Sequence, residues 1–273
     1  MPYKYNPPIP PLIDLALQDF SYSRIDTYER CNLRYFYQYI IKIPQTFGDA
    51  ALLGNIIHKG LEISAQENTL AKPSEMLRNY RAAIDELDPD HQIFDQMIQE
   101  GEHMILEFID ALPAHEKDPS YQPVYEKDFF TELAFSVQIG KGRFNGYIDK
   151  VDIEPTMVKI TDYKSGKREV AAKSIGSNLQ LGIYSVVMKE IYPDSDVFAQ
   201  LYYLRSGKKK GHLFTDSDLE FVKIALNDKV EQILNTSDYK PTPNVYACDW
   251  CSYATDGTCP TGAYRLKKRG VLR

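Results

Sequence analysis

The sequence has no apolar run as long as the roughly 18 residues that a membrane-spanning helix needs. Its first residues lack a basic stretch followed by an apolar one, so we expect no signal peptide and a cytoplasmic location. Positive charge is not in excess, because the net charge is −6 over 273 residues. This balance excludes a generally basic nucleic-acid coat, although it permits a local basic groove. We therefore expect a soluble globular protein that makes no membrane contact.

The hydrophobic periodicity changes character along the chain, which predicts a mixed α/β (α+β) fold. A small central sheet should be flanked by helices, with a helical insertion between about 70 and 115. The Pro-rich start is expected to form an extended arm, and 240–273 to be loop-like and finally basic. Helices are predicted over 21–43, 49–67, 74–87, 92–112, 171–191 and 216–235, and strands within 124–164 and 198–215.

Acidic residues interrupt good strand sequence in the segment DKVDIEPTMVKITDYK, which covers 149–164. The residues EPTM, at 154–157, are typical of a tight turn, and the point midway between Asp149 and Asp162 falls between positions 155 and 156. A hairpin symmetric about this turn places the two carboxylates opposite each other, with Cβ atoms roughly 4.5–5.5 Å apart. Lys164 lies two residues beyond Asp162 and therefore on the same face.

Two explanations fit this acidic hairpin. Carboxylates this close repel each other, and a divalent cation such as Mg²⁺ or Mn²⁺ would reverse the sign of that interaction. Lys164 would then orient a water or stabilise charge on a phosphate. The alternative is a solvated face with one cross-strand ion pair, and the hairpin alone does not decide between them.

Two helical segments carry further candidate site residues. In LLGNIIHKGLE, His58 has Gly54 one turn before it and Glu62 one turn after it on the same face, an arrangement that could be aimed at a metal. Gln180 and Tyr184 are also i,i+4 neighbours, and an amide and a phenol on one face can hold phosphate, sugar or base groups. The alternatives are a surface or core histidine, a solvated glutamine and a core tyrosine.

Four cysteines are present, and three of them cluster in CDWCSYATDGTC near the end of the chain. A C-x₂-C pair followed by a third cysteine is a strong ligand pattern, and Cys31 can complete a set of four. Zinc and iron–sulfur clusters both accept four thiolates, and a single knuckle with two isolated ligands favours iron–sulfur. Either centre would join 240–262 to the first helix and stabilise the fold. The four candidate ligands are Cys31, Cys248, Cys251 and Cys259.

Six segments in this order resemble the RecB-type branch of the PD-(D/E)XK nuclease superfamily, close to AddB-like iron–sulfur nucleases and single-domain CRISPR-associated exonucleases. The segments span roughly 21–262. They resemble, in turn, an opening helix with the first cysteine, a histidine motif, a G-x-x-D strand, a (D/E)-x-K strand, a Q-x-x-x-Y helix and a cysteine motif. In this sequence they read SYSRIDTYERCNLRYFYQYI, LLGNIIHKGLE, GYIDKVDI, ITDYKSGK, NLQLGIYSVVM and CDWCSYATDGTCP.

The resemblance implies a single nuclease domain over 1–273 with a restriction-endonuclease-like core, including the helical insertion, the cysteine segment 240–262 and a basic tail 263–273. It implies a metal-dependent DNA nuclease, an exonuclease on single-stranded ends that works in DNA repair, recombination or CRISPR adaptation. It implies a catalytic Mg²⁺ or Mn²⁺ and a [4Fe–4S] cluster on the four cysteines, with zinc as the other occupant. The implied metal ligands are His58, Asp149, Asp162 and the Tyr163 carbonyl. The implied catalytic residues are Asp149, Asp162 and Lys164. The resemblance further implies that Gln180 and Tyr184 contact DNA or support the site.

The sequence departs from that pattern in two places. Asn32 stands where a proline often follows the first cysteine, and seven residues separate Cys251 from Cys259, a longer gap than the commonest form. The second departure bears on cluster type. DNA, single-stranded, is the expected partner, and no protein partner can be read from the chain, which has no Walker A motif or helicase segment.

Two other functions remain open from the sequence. One is a non-catalytic nucleic-acid-binding subunit, stabilised by zinc or iron–sulfur, and the other is a zinc-stabilised structural protein without nuclease activity. Basic residues could hold a DNA backbone or be merely solvated. These residues are Lys208, Lys209, Lys210, Arg265, Lys267, Lys268 and Arg269.

Overall fold

The computed structural model describes residues 19–46, 48–67, 69–70, 72–90, 92–112 and 129–271. The predicted extended arm at the start of the chain lies outside these residues. In the part of the chain that is described, no helix is both long enough and apolar enough to span a bilayer.

The chain forms two compact units. The first contains the described residues of Met1–Gly48, Ser136–Asn145 and Lys223–Arg273, and the second those of Asp49–Phe135 and Gly146–Val222. All four cysteines belong to the first unit, and the predicted hairpin, histidine and Q-x-x-x-Y helix belong to the second. The single nuclease domain over 1–273 stays a prediction.

Helices and strands occur in blocks along the described chain. The helices are α1 (Tyr22–Arg30), α2 (Asn32–Tyr35), α3 (Asp49–Gln66), α4 (Pro73–Leu87), α5 (Asp95–Asp110), α6 (Leu179–Ile191), α7 (Asp216–Leu234), α8 (Val245–Cys248), α9 (Ser252–Thr255) and α10 (Pro260–Lys268). The strands are β1 (Asp19–Phe20), β2 (Phe129–Ile139), β3 (Gly142–Ile153), β4 (Met157–Lys164), β5 (Asp196–Tyr203) and β6 (Lys208–Phe214).

The strands form one six-stranded mixed sheet in the order β1-β3-β4-β5-β6, with β2 also pairing with β3. The β1–β3 and β4–β5 pairs are parallel, and the β3–β4 and β5–β6 pairs are antiparallel. Because β4 and β5 are parallel, the chain must cross over between them, and α6 forms that crossover. The mixed sheet and its helices confirm the predicted α/β fold with a restriction-endonuclease-like core.

The predicted hairpin about the EPTM turn is confirmed. Glu154 and Met157 exchange backbone hydrogen bonds of 2.8 and 3.4 Å across the turn. The β3–β4 ladder pairs Lys150 with Thr161 and continues to Ile153 opposite Val158. This register places position 149 opposite position 162 at the next step.

The helical part of the second unit has its own apolar core. Helices α3, α4 and α5 pack together through side chains that are almost fully buried, and Phe108 on α5 lies edge-on against the ring of Tyr163 from β4. Tyr80 on α4 belongs to the same core and donates a hydrogen bond of 3.1 Å to the carbonyl of Ile98. This packing fixes α3, which carries His58, against the end of β4.

The prediction of one continuous helix over 21–43 is wrong. Ser21 caps α1, because its hydroxyl accepts a hydrogen bond from the backbone N–H of Arg24. The helix then ends at Cys31, which has extended dihedral angles (φ −165°, ψ 113°), and the chain resumes as α2 and a π-helical turn over Phe36–Ile40. The periodicity continued through Cys31 and therefore gave no sign of this break.

The prediction of a loop-like end over 240–273 is also wrong in part. Three helices, α8, α9 and α10, lie in this segment, and α10 includes most of the predicted basic tail. Cys259 caps α10, since its sulfur accepts the backbone N–H of Gly262 at 3.3 Å, and Pro260 occupies the first turn. The cysteine thus serves as a helix cap, a role that the sequence pattern did not reveal.

Candidate functional site

The end of the hairpin brings Asp149 against the backbone of β4. The N–H of Tyr163 donates a hydrogen bond of 2.7 Å to Asp149 Oδ2. The carboxylate is therefore held beside the Tyr163 peptide group, one of the positions at which the sequence predicted a metal ligand.

His58 reaches the same place from α3. Its Nδ1 lies 3.5 Å from Asp149 Oδ2, and its Nε2 lies 3.1 Å from the carbonyl oxygen of Tyr163. Burial opposes protonation of the imidazole, but the hydrogen bond and charge of Asp149 outweigh it and raise the pKa of His58 to about 9. Glu62, one turn further along α3, instead forms an ion pair of 3.3 Å with Lys59. The structure thus brings together His58, Asp149 and the Tyr163 carbonyl.

Asp162 and Lys164 form a tight ion pair on β4. Lys164 Nζ lies 2.6 Å from Asp162 Oδ2, and the Asp162 side chain is only 2 % exposed while that of Lys164 is 34 % exposed. Burial raises the pKa of Asp162 above its usual range, and the charge of Lys164 opposes that rise. A carboxylate in this position is poorly hydrated and favours a cationic neighbour.

Gln180 and Tyr184 connect to this ion pair from α6. Lys164 Nζ donates a hydrogen bond of 2.9 Å to Gln180 Oε1, and Gln180 Nε2 donates one of 2.9 Å to the hydroxyl of Tyr184. Burial raises the pKa of the buried Tyr184 phenol far above its usual range, so the hydroxyl stays protonated. A chain of hydrogen bonds therefore runs from Tyr184 through Gln180 to Lys164.

Sequence reasoning missed Glu132, on β2. One ligand atom from each of Glu132, His58 and Asp149 lies within 4.8 Å of the other two. Glu132 has a positive φ of 47°, which is uncommon for a residue with a side chain. Burial, followed by the charge of Asp149, raises the pKa of its carboxyl to about 7. Its only signal in the sequence was an acidic residue within the strand FFTELAF.

This donor set suits a hard divalent cation. It offers an imidazole nitrogen, carboxylate oxygens and a peptide carbonyl, which are ligands that Mg²⁺ and Mn²⁺ accept. A bound cation would also relieve the carboxylate repulsion that contributes to the raised pKa of Glu132. Among the described residues, Asp162 does not belong to the group of three ligand atoms within 4.8 Å.

The first unit contains a second candidate metal centre. All four cysteine sulfurs are free of disulfide bonds. The four cysteines line one pocket together with apolar side chains that include Leu33, Tyr37 and Tyr253. Burial is the main cause of a raised pKa at Cys251 and Cys259. Four thiols gathered in an apolar pocket would be unfavourable as thiolates without a bound cation.

Two further observations fit a metal or cluster in this pocket. The backbone N–H of Thr242 points at Cys31 Sγ at 3.4 Å, and that of Gly262 at Cys259 Sγ at 3.3 Å, contacts that the sulfur ligands of an iron–sulfur cluster also accept. Arg34 lines the same pocket, and its Nε is buried without a hydrogen-bond partner among the described residues. Its positive charge lowers the pKa of Cys251, against the larger effect of burial.

A single carboxylate pairs with two of the three lysines at the start of β6. Lys208 and Lys210 both lie near Glu169, at 3.6 and 2.8 Å, and Lys210 also donates to the Val170 carbonyl. Lys209 lies over the ring of Tyr202, 4.6 Å from its centre. Lys208 and Lys209 are exposed, so this segment keeps positive charge on the surface.

The mixed sheet, with carboxylates and a lysine at the end of an antiparallel hairpin, defines the chain as a protein with a restriction-endonuclease-like core. A family model of the PD-(D/E)XK nuclease superfamily matches residues 19–259. The chain belongs to this superfamily, as the sequence motifs predicted.

Three individual proteins are similar to the chain. It is 27% identical over 226 residues to an ATP-dependent helicase/deoxyribonuclease subunit of Carboxydothermus hydrogenoformans, a match that covers 70% of this chain and 20% of that protein. It is 27% identical over 135 residues to the Gene 69 protein of Mycobacterium phage L5, which covers 47% of this chain and 43% of the relative. The chain thus spans less than half the length of either curated relative.

The third is a crystal structure from Eubacterium rectale, provisionally called an exonuclease. It has a TM-score of 0.47 and 12% sequence identity, over 80% of this chain and 82% of that one.

Proposed function

We propose that this protein is a divalent-metal-dependent DNA nuclease that hydrolyses phosphodiester bonds, acting as an exonuclease on single-stranded ends. The observation that carries the proposal is the convergence of Asp149, Asp162 and Lys164 at one end of the hairpin, with His58 beside the Tyr163 carbonyl. Membership of a nuclease superfamily supports the reaction class. The similarity to a deoxyribonuclease subunit supports DNA as the substrate.

The metal would be held by His58, Asp149, Asp162 and the Tyr163 carbonyl, with Glu132 as a further carboxylate. When bound, Mg²⁺ or Mn²⁺ supplies Lewis acidity, which withdraws charge from the phosphodiester and favours deprotonation of the attacking water. The partly exposed ammonium of Lys164 then faces the region where phosphate charge develops, and Asp162 holds it through an ion pair. Gln180 and Tyr184 hold Lys164 in that orientation.

The burial of Asp162 beside Lys164 favours this function over an idle nucleic-acid-binding subunit. A buried carboxylate without a catalytic or metal role would be costly, and replacement by apolar residues would relieve that cost. Here the buried Asp162 is retained beside a lysine that is a third exposed. We place the reaction in the cytoplasm, in DNA repair, recombination or CRISPR adaptation.

The test uses end-labelled single-stranded and duplex DNA of each polarity, with a circular single strand as control. We expect Mn²⁺- or Mg²⁺-dependent shortening of linear single strands and no loss of the circle. Asp162→Asn and Lys164→Ala should abolish it, while the matched variant Asp152→Asn, at the carboxylate that pairs with Lys150 on β3, should keep it. Cleavage of the circle would refute the exonuclease assignment, and full activity of both site variants would refute the site.

We further propose a [4Fe–4S] cluster on the four cysteines. Zinc and a cluster both accept four thiolates, and a single C-x₂-C knuckle with two isolated cysteines favours the cluster. Anaerobically purified protein should therefore show brown absorbance and four irons per chain, and Cys251→Ser should lose both. Stoichiometric zinc in place of iron would overturn this assignment.

A further inference from the structure

The outer face of the cysteine segment carries aromatic and basic side chains that the proposed nuclease site does not use. Trp250, the only tryptophan of the chain, lies inside the C-x₂-C loop and is 76% exposed. Tyr264 on α10 is 71% exposed. Two large rings thus face solvent in a segment that also buries three cysteines.

Helix α10 has an inner and an outer face. Its inner face docks through Gly262 and the fully buried Leu266. A side chain at position 262 would come within 2.6 Å of the Ala254 Cβ, so only glycine allows this close approach. This close packing fixes the rotation of α10 about its own axis and therefore determines which of its residues face solvent.

That outer face combines an aromatic ring with two lysines. Tyr264, Lys267 and Lys268 are spaced i, i+3 and i+4 and are all exposed. Among the described residues, neither lysine forms an ion pair. The stretch 260–271 contains four basic residues and no acidic one, in a chain whose net charge is −6.

An ion pair joins the end of α10 to the loop that contains the tryptophan. Arg269, at the end of α10, pairs with Asp249, the residue directly before Trp250. Consecutive Cα atoms are about 3.8 Å apart, so the backbone of Trp250 directly follows the residue that contacts the basic end of the helix. Arg269 is used in this contact, whereas Lys267 and Lys268 on the exposed face contribute positive charge.

We propose that Trp250, Tyr264, Lys267 and Lys268 form a second binding surface for single-stranded nucleic acid. Unpaired bases stack on exposed aromatic rings, and lysines beside those rings neutralise the backbone phosphates. A membrane surface is the less suitable ligand, because the apolar face of α10 is turned inward. The inference rests on the proposed function in that it names a second contact to the same substrate class.

The single tryptophan makes the test direct. The intact protein, purified anaerobically with its iron retained, is titrated with oligo(dT) without added Mg²⁺ or Mn²⁺, so that binding is measured and cleavage is not required. We expect the indole fluorescence to be quenched. Binding of labelled oligo(dT), followed by anisotropy, should weaken at least about 5-fold in Trp250→Ala, since stacking contributes on the order of 1–3 kcal/mol per base.

Matched variants identify the source of any effect. Trp250→Phe should restore most of the affinity, because the aromatic face is kept. Lys267→Ala/Lys268→Ala should lower the slope of log affinity against log salt by about 1.4, the value for two single-strand phosphate contacts. Phe94→Ala, at a phenylalanine that is 68% exposed on the other unit, and Lys223→Ala are the controls and should bind normally.

Iron content and thermal unfolding are measured on each variant to verify that the cysteine segment is intact. Unchanged fluorescence with equal affinity in Trp250→Ala would overturn the proposal, as would binding to anionic vesicles without any response to DNA. A protein that binds through this surface but never cleaves would refute the nuclease function while leaving the surface in place. Cleavage of DNA by a protein whose surface variants bind normally would refute the second binding surface while leaving the nuclease function in place.

Discussion

Lys164 is positioned by two neighbours of different kinds. Asp162 provides the opposite charge, and Gln180 accepts a hydrogen bond of 2.9 Å from the ammonium. The second contact is itself fixed by Tyr184. In the proposed mechanism, Gln180 and Tyr184 are therefore positioning residues that act through the lysine.

We expect graded losses of activity along this chain of hydrogen bonds. Gln180→Ala removes a bond to a charged group, about 1.5–3 kcal/mol, and should slow turnover roughly 10- to 100-fold. Tyr184→Phe removes a neutral bond, about 0.5–1.5 kcal/mol, and should cost less than about 10-fold. Steady-state kinetics on single-stranded DNA should place both effects in kcat. A loss confined to KM would mean that these residues bind substrate and do not position Lys164.

Glu132 leads to a second prediction at the residue scale. The Glu132→Gln variant keeps the size of the side chain but removes a charge near His58 and Asp149. We expect the Mn²⁺ concentration for half-maximal activity to rise on the order of tenfold, an effect that even an outer-shell partner of a metal can produce. The control is Glu107→Gln on α5, which should leave the metal dependence unchanged. Equal metal dependence in both variants would exclude Glu132 as a ligand.

At the scale of elements, α6 must lie close to α7 in order to place Gln180 and Tyr184. A side chain at Gly182 would meet the two methyl groups of Val222 at 2.5 and 2.7 Å. Val222 is fully buried and has no room to move. The absence of a side chain at Gly182 thus allows the close packing of α6 against α7.

Gly182→Ala should therefore destabilise the protein although alanine is the better helix former. Overpacking costs about 1–3 kcal/mol, against roughly 1 kcal/mol gained in helix propensity. We expect a lower midpoint in thermal unfolding and a partial loss of activity. Gly48→Ala, where an added Cβ has nothing within 4 Å, is the matched control. An unchanged midpoint for Gly182→Ala would show that the two helices can separate at little cost.

Local patterns predicted some elements well and others poorly. The hairpin followed from the turn residues and the spacing of Asp149 and Asp162, because register in a tight hairpin is fixed by its turn. The break at Cys31 did not follow, since its extended conformation serves contacts with residues more than 200 positions away. Glu132 was missed for the same reason: only the tertiary fold brings β2 beside α3.

The whole molecule should respond to pH through its metal site. Burial and carboxylate repulsion raise the pKa of Glu132 from 4.5 to about 7, and the pKa of Asp162 is also raised, mainly by burial. Asp149 raises the pKa of His58 from 6.5 to about 9 against the effect of burial. Each group thus binds its proton more tightly in the folded protein than in the unfolded chain. Stability without a divalent cation is then greatest below these ordinary values and falls as pH rises through the raised ones.

We accordingly expect the thermal midpoint of the protein to fall between about pH 5 and pH 9 in the absence of Mg²⁺ and Mn²⁺. Millimolar Mn²⁺ should raise the midpoint, and by more at about pH 8 than at about pH 6, because the cation then replaces protons that have been lost. Differential scanning calorimetry at both pH values tests this. A shift that is the same at both would show that the cation binds elsewhere, and Asp149→Asn serves as the control that should abolish the difference.

The cysteine pocket also dictates an order of events during synthesis. Cys31 and Cys248 are 217 positions apart (248 minus 31). At about 5–20 residues per second, a ribosome needs roughly 10–40 s between making the first thiol and the second. For that time Cys31 has no partner cysteine, so the proposed cluster could not be held by four thiolates until the whole of the second unit, which ends at Val222, has been made. Cys31 is synthesised long before the other three cysteines. During this interval an oxidant or a wrong metal could reach its thiol.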